Sequence, residues 1–324
     1  MRVVITGGAG FVGRAVVRVL RERGVEVVAL VRDPRRASFL ADLGAELVQD
    51  DLSDVARLTA ILRGADGVIH SAGSYRVGIP NSEHEAMWDA NVGATTRVLD
   101  AAGAAGTPRI VHVSTVNVFG NTRGAIVDET HRRDLGAGFV SWYDETKYRA
   151  HEVAEARIAA GAPIVIVQPS QVYGPGDHSG IGEQLQLANA GKLAYRAFDG
   201  FGIGFVHVDD LAAGIAAAFD RGRIGESFVL SGPSSTLRDA IALAARLGGH
   251  RSPRVAIPDR LVRRLAPFAR LMGQPNLAEI ARASIGVKYL ASSAKAEREL
   301  GFHARDLESG FRDVFGGARS PVRA

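Results

Sequence analysis

The sequence predicts an α/β fold, a doubly wound parallel sheet followed by a smaller, mainly helical C-terminal part. Three observations carry that expectation. The first 170 residues alternate short β-branched apolar runs with amphipathic segments joined by brief links, as strands covered by helices on both faces require. The first run, residues 2–6, passes directly into the glycine turn Gly7-Gly8-Ala9-Gly10-Phe11-Val12-Gly13. After Pro169 the alternation gives way to a Pro- and Gly-rich stretch and then to segments of helical spacing.

In chain order, Val12, Val16, Val19 and Leu20 recur at helical spacing over residues 11–23, and Gly24 stands where a helix-ending glycine belongs. A second strand is expected at 25–31, a helix around 34–43 and a third strand at 45–49. Ser53 is placed to cap a helix reaching about residue 63. Residues 67–70 form the next strand, and a long helix is expected within 83–105. A strand at 109–114, a loop rich in Gly, Asn and charge over 115–138, a helix at 140–159 and a strand at 164–168 complete the series.

Residues 1–170 thus read as a Rossmann-type dinucleotide-binding domain, with short strands at 205–208 and 227–230, and the helix between them, rejoining or extending its sheet. Residues 171–316 are expected to form a substrate-binding lid with helices at 181–190, 210–220, 237–247, 259–272, 276–284, 293–300 and 306–315. Such a lid lies over the carboxyl ends of the parallel strands, where ligands of these sheets bind. The small, basic tail 317–324 is expected to be disordered.

Composition narrows the function classes. The 324 residues are 46% hydrophobic and 23% charged, with a net charge of +4, the profile of a soluble globular protein. There is no cysteine, which excludes thiolate catalysis, thiolate metal sites and disulfides. The basic groups at 32–36 and 260–270 read as solvated helix faces or phosphate contacts, so no nucleic-acid partner is expected. No apolar run approaches membrane-spanning length and no apolar leader precedes the first strand, so the expectation is a cytoplasmic protein without a membrane span. The nine histidines show no metal-ligand spacing, and no metal is expected. His207 reads as structural, because Asp209 beside it is placed to cap a helix.

The glycine turn carries the first piece of chemistry. Both Gly8-x-Gly10-x-x-Gly13 and Gly7-x-x-Gly10-x-x-Gly13 fit a phosphate-binding turn at the start of a βαβ unit. Glycine permits positive φ and close backbone approach, while the helix N-terminus offers free N–H groups to a pyrophosphate. Gly7, Gly10, Phe11, Val12 and Gly13 are therefore candidate cofactor contacts. At the end of the second strand Val31 stands where a ribose-binding acid would be sought, and Arg32 follows it. A guanidinium suits a 2′-phosphate, which favours NADP(H); Asp33 leaves NAD(H) open. Asp51 is placed to accept from an adenine amino group with Leu52 packed on the ring. The small residues Ser71, Ala72 and Gly73 suit close approach to a ribose or pyrophosphate.

The second piece is Tyr143-Asp144-Glu145-Thr146-Lys147, in which Tyr143 and Lys147 share a helix face one turn apart. A cation beside a phenol favours phenolate and makes the tyrosine a proton donor or acceptor near neutral pH. Thr115 ends the fifth strand, where its hydroxyl can help polarise a substrate oxygen.

These residues resemble those of the extended short-chain dehydrogenase/reductases, the NAD-dependent epimerase/dehydratase superfamily, over nearly the whole chain. The likeness rests on TGGAGFVG at 6–13, QDDLSD at 49–54, VIHSAG at 68–73, NVGATTRVLDAA at 91–102 and VHVSTVNVFG at 111–120. YDETK at 143–147, QPSQVYGPGD at 168–177, FVHVDDLAAG at 205–214 and KAERELGF at 295–302 continue it. The resemblance implies a catalytic set of Thr115, Tyr143 and Lys147 supported by Asn91. It also implies a second role for Lys147 on the nicotinamide ribose, and a nicotinamide face lined from Pro169 to Val172. It further implies a homodimer joined through the helices that hold Asn91 and Tyr143.

Within the superfamily, VRDP after the second strand resembles dihydroflavonol-reductase-like proteins. Other stretches resemble bacterial chains named hopanoid-associated sugar epimerases. Gln168 stands where an arginine usually precedes the proline, and Ala94 replaces a glycine. Val116-Asn117 replaces the Asp-Glu pair with which sugar dehydratases eliminate water, which argues against dehydration. Ser74, Tyr75, Arg76, Asn117, Gln171 and His178 are the candidate substrate contacts at the mouth.

The leading expectation is an NADP(H)-dependent oxidoreductase acting on a carbonyl or alcohol of a small molecule. The alternatives are a nucleotide-sugar epimerase with tightly held NAD and, more remotely, a dinucleotide sensor without catalysis.

Overall fold

The computed structural model describes residues 1–266 and 276–316. Its elements run β1 (Arg2–Thr6), α1 (Phe11–Glu22), β2 (Glu26–Val31), α2 (Ser38–Asp42), β3 (Glu46–Gln49), α3 (Val55–Leu62), β4 (Gly67–His70), α4 (His84–Trp88), α5 (Ala94–Ala105), β5 (Ile110–Val113), α6 (Trp142–Ala159), β6 (Ile164–Pro169) and β7 (Gln171–Tyr173). The C-terminal part follows with α7 (Gly180–Asn189), β8 (Gly202–His207), α8 (Val208–Arg221), β9 (Ser227–Leu230), β10 (Ser234–Thr236), α9 (Leu237–Leu247), α10 (Asp259–Leu265), α11 (Leu277–Ser284), β11 (Lys288–Tyr289), α12 (Ala294–Leu300) and α13 (Leu307–Phe315).

Seven strands form one parallel sheet in the order β3-β2-β1-β4-β5-β6-β9. Because side chains alternate along a strand, each strand feeds two cores. Val3, Ile5 and Val27 join Val16, Val17 and Leu20 of α1 and Leu211 and Ile215 of α8. Val4, Val28 and Val68 meet Leu58 and Leu62 of α3, Val98 and Leu99 of α5 and Ala154 of α6. The strand order reverses direction between β1 and β4, and that crevice at the strands' carboxyl ends is where such sheets bind ligands.

The segments around 205–230 divide. Strand β9 pairs with β6 and α8 packs on α1, so both rejoin the large sheet. Strand β8 does not: it centres a second, four-stranded sheet, antiparallel to β10 and parallel to β7 and β11. The mainly helical part therefore has a small sheet of its own, against which α7, α9 and α13 build a third core with Phe205, Ile241 and Phe311.

Several boundaries differ from expectation, each for a visible reason. The helix expected around 34–43 shrinks to α2, because the Asp33 carboxylate accepts from Arg35 N at 3.0 Å and holds a turn. Ser53 does not cap α3. Its hydroxyl donates to Asp51 at 2.6 Å, and Asp54 caps the helix through Ala56 N and Arg57 N. Asp209 is not the cap of α8 either, since His207 Nδ1 accepts from Asp209 N at 3.2 Å. The long helix within 83–105 is interrupted by a π turn, Asp89–Gly93, between α4 and α5. Of the helix expected at 259–272 only α10 falls within the described residues, and the tail 317–324 lies outside them. Among the described residues no helix is long and apolar enough to cross a membrane.

Candidate active site

The glycine turn is built as a cradle. Gly7 has φ +71°, and a Cβ there would lie 2.6 Å from Ala72 N; one on Gly13 would collide with the Gly7 carbonyl. Gly10 precedes α1 without a capping side chain, and the first turn of α1 holds no acid. The N–H groups of that turn are thus left for an anion, as a dinucleotide pyrophosphate requires. The 71–73 segment closes the other side. Ser71 N donates to Thr6 O (3.2 Å), Ala72 N to Thr6 Oγ1 (3.3 Å), and a Cβ on Gly73 would lie 3.1 Å from Asn91 Oδ1. Phe11 and Val12 start the helix at this cradle, half-buried.

Arg32 is exposed at the end of β2, and its guanidinium has no hydrogen bond or ion pair among the described residues. Asp33 is committed to its turn and to Arg36 at 3.5 Å. Farther along, the Asp51 carboxylate is held below its usual range by the Ser53 hydroxyl and N–H. Leu52 departs from expectation. It adopts φ +65° with its side chain only 9% exposed, packed in the core with Val4 and Val98 rather than presented to a ring. Asp50 Oδ1 accepting from Leu52 N (2.7 Å) and Arg97 Nε donating to Leu52 O (2.6 Å) hold that strained residue in place.

At the reacting end, β5 delivers Ser114 and Thr115, and the Ser141 hydroxyl caps α6 by accepting from Asp144 N. Tyr143 sits in the first turn, 7% exposed, against Ile79 and Met87. Tyr75 meets its ring edge-on at 4.8 Å. Lys147 Nζ donates to Val113 O at 3.1 Å, and burial brings the amine down to about 8. The phenol is not acidified as its spacing from Lys147 suggested. Burial, then Tyr75, push it above its usual range, while the Thr115 hydroxyl pulls the other way. Thr115 also begins the turn Val116–Phe119, accepting from Asn117 N at 3.3 Å.

Asn91, inside the π turn, spends its whole amide on this site. Its Oδ1 accepts from Ser74 N (2.7 Å), and its Nδ2 donates to Ser74 O (3.1 Å) and to Thr146 Oγ1 (2.9 Å). Thr146 in turn donates to Tyr143 O at 3.1 Å. One side chain therefore fixes both the 73–76 segment and the turn of α6 that bears Tyr143. Behind it, Thr95 Oγ1 donates to Asn91 O (2.6 Å), so His70 Nε2 is the donor in its 3.0 Å contact with Thr95. His70 Nδ1 then accepts from Thr6 Oγ1 at 2.7 Å, and burial, followed by Lys147, pushes this ring down to about 3, keeping it neutral.

Sequence reasoning missed three supports. Arg133 and Asp144, both buried, form a bidentate pair at 2.8 and 2.6 Å. Arg133 also donates to Asn117 O (3.2 Å) and Gly138 O (2.9 Å), so the 115–138 loop is fastened beside Tyr143. Glu279 of α11 accepts from Trp142 N at 2.8 Å, tying the C-terminal part to the start of α6. Asp144 had a signal, since a carboxylate on the inward face of a helix demands a cation; Arg133 and Glu279 had none.

The mouth residues divide. Tyr75 is brought to Tyr143 and Ser74 to Asn91 through its backbone. Arg76 is drawn to Glu83, and the Asn117 amide oxygen accepts from Thr115 at 3.3 Å. The Gln171 amide donates to Val172 O at 3.1 Å, and His178 is exposed. Pro169 is buried at the end of β6, and Val172 lies on β7 beside Val206.

A parallel sheet with a glycine cradle at its switch point, Thr115 just beyond β5, and Tyr143 and Lys147 on α6 defines a nicotinamide-dependent enzyme of the extended short-chain dehydrogenase/reductase type. The chain belongs to the NAD dependent epimerase/dehydratase family, whose profile matches residues 3–231. It is 30% identical to a 4-hydroxy-2-methyl-3-oxo-4-farnesyl-3,4-dihydroquinoline-1-oxide ketoreductase from Stigmatella aurantiaca, over 94% of this chain and 92% of that one. It is 29% identical to a putative dihydroflavonol 4-reductase from Synechocystis, over 96% and 92%. A dTDP-glucose 4,6-dehydratase from Streptomyces venezuelae, solved with NAD bound, superposes with a TM-score of 0.78 at 26% identity, covering 99% and 98% of the two chains.

Proposed function

We propose that this protein is an NADP(H)-dependent reductase that interconverts a carbonyl and an alcohol on a small molecule. The observation that carries the cofactor choice is Arg32, whose uncommitted guanidinium at the end of β2 suits a 2′-phosphate, beside an Asp33 already spent in its own turn. The cradle from Gly7 to Gly13, with Ser71 to Gly73 opposite, would hold the pyrophosphate, and Lys147, Pro169 and Val172 would border the nicotinamide.

When bound, the dinucleotide supplies or accepts the hydride. The chain's own part is proton and charge handling. Burial keeps the Tyr143 phenol protonated at neutral pH, so it stands as a donor to the oxygen of a carbonyl being reduced. Thr115 Oγ, turning its one proton from Asn117 Oδ1, donates a second hydrogen bond to that oxygen, and the Lys147 ammonium stabilises the phenolate left behind. Asn91 holds Ser74 and α6 in register. Val116 is buried and the Asn117 side chain is turned to Thr115, so neither supplies the acid or base that elimination of water needs. Two of the compared relatives bear reductase names, which supports the same direction.

Replacing Arg32 by alanine is expected to weaken NADPH binding by about tenfold or more and NADH binding little. Fluorescence titration of both nucleotides checks it, and an equal loss for the two would remove the 2′-phosphate contact. In the reductive direction kcat/KM is expected to fall as pH rises through about 8, where the Lys147 amine loses its charge. Lys147→Arg keeps the charge and should carry that limb upward; a limb unmoved in this variant belongs to another group.

The second reading is a nucleotide-sugar epimerase, supported by the NAD-bound sugar-nucleotide enzyme that superposes on the chain. Stoichiometric NAD retained through purification, with no cofactor consumed in turnover, would select it. A homodimer through α5 and α6 and a cytoplasmic site of action complete the proposal.

A further inference from the structure

On the sheet face away from α1, a groove of about 850 Å³ runs between α6 on one side and the 126–133 loop with α12 on the other. Its floor is Ile166 and Gln168 of β6 and the start of β9. None of Gly7 to Gly13, Thr115, Tyr143 or Lys147 lines it, so it is separate from the dinucleotide cleft.

Its polar lining is incompletely partnered. Gln168 is 1% exposed, and its Oε1 is buried without a donor among the described residues. A buried amide oxygen in that state calls for an O–H or N–H group. Five cationic side chains border the groove, and three have carboxylate partners: Arg133 with Asp144, and Arg223 and Lys295 with Glu226. Among the described residues Arg132 and Arg298 have no carboxylate partner. Arg132 Nη1 donates only to the carbonyls of Glu129 (3.0 Å) and His131 (3.2 Å), and Arg298 Nη1 only to that of Ala294 (3.0 Å). Glu155 of α6, which also lines the groove, lies 3.5 Å from His151 Nε2, whose Nδ1 is 3.0 Å from Ser114 Oγ. The loop acids Asp128 and Glu129 are engaged by Thr130 and by Val229 N (2.7 Å), respectively. Floor and rim thus ask for different things of one occupant: anionic at the mouth and hydrogen-bond donating at depth.

We propose that this groove is a second ligand site, for a small hydroxylated anion. Its carboxylate or phosphate meets Arg132 and Arg298, and a hydroxyl donates to Gln168 Oε1. The test is isothermal titration calorimetry on the full chain with citrate and with glucose 6-phosphate, which separate the two anion sources, and with inorganic phosphate as the unhydroxylated control. Saturable binding of either hydroxylated probe at millimolar concentration is expected. Affinity should fall by about tenfold or more in the Arg132→Ala/Arg298→Ala double variant and also in Gln168→Met, with NADPH affinity unchanged in both. Three outcomes would overturn the site: no saturable heat with either hydroxylated probe, equal binding in wild type and double variant, or inorganic phosphate binding as tightly as they do.

Discussion

Replacing Tyr143 by phenylalanine is expected to lower kcat by about 10²- to 10⁴-fold while leaving NADPH affinity nearly unchanged. Only the phenolic oxygen is removed. The ring stays 7% exposed between Ile79 and Met87 and keeps its edge-on contact with Tyr75, so neither fold nor cradle has cause to move. What disappears is the proton that burial keeps on that oxygen at neutral pH, and with it the partner of Thr115 on the substrate oxygen. Single-turnover kinetics under saturating cofactor isolates the chemical step. Turnover equal to wild type would mean that another group donates the proton, and the proposed mechanism would fall.

The second large effect concerns stability. Asp144→Ala is expected to destabilise the fold by about 3–5 kcal/mol, because it strands a buried guanidinium whose charge and two donors lose their carboxylate. Among the described residues Arg133 Nε is already without a partner, and the Asn117 and Gly138 carbonyls that its amines reach carry no charge to replace the carboxylate. Removing both residues should cost less than the sum of the two single changes, since the second deletion relieves the charge that the first exposes. Urea unfolding of the three variants measures this. A single-variant loss under about 1 kcal/mol would show that water reaches the pair.

Much of the architecture was legible because it repeats. Alternating apolar runs and helical spacing mark β1 to β6, and the glycine turn and the Tyr143–Lys147 spacing are local patterns that survive without tertiary context. What escaped was decided elsewhere in the fold. Strands β7, β10 and β11 are two or three residues long, too short to show a period, and exist because β8 offers them an edge. Ser53 and Asp54 are both good caps by type, and the choice fell to Asp54 because Asp51 claims the serine hydroxyl. The phenol's surroundings are likewise set by the fold: spacing puts an amine near Tyr143, whereas burial raises the phenol and the carbonyl of Val113 holds the amine.

The π turn at Asp89–Gly93 has a consequence for how this chain tolerates change in length. Such a turn carries one residue more than the α-helix on either side of it. A deletion of one residue there would close the bulge into an unbroken helix and leave the turns on either side nearly in phase. Met87 would keep its place beside Ile79 and Tyr143, whereas Asn91, inside the bulge, would turn away from the Ser74 backbone. Substitutions in this segment act by degrees, each according to the contact it loses. A shortened version would lose, in a single step, the tie that Asn91 makes between the Ser74 backbone and α6.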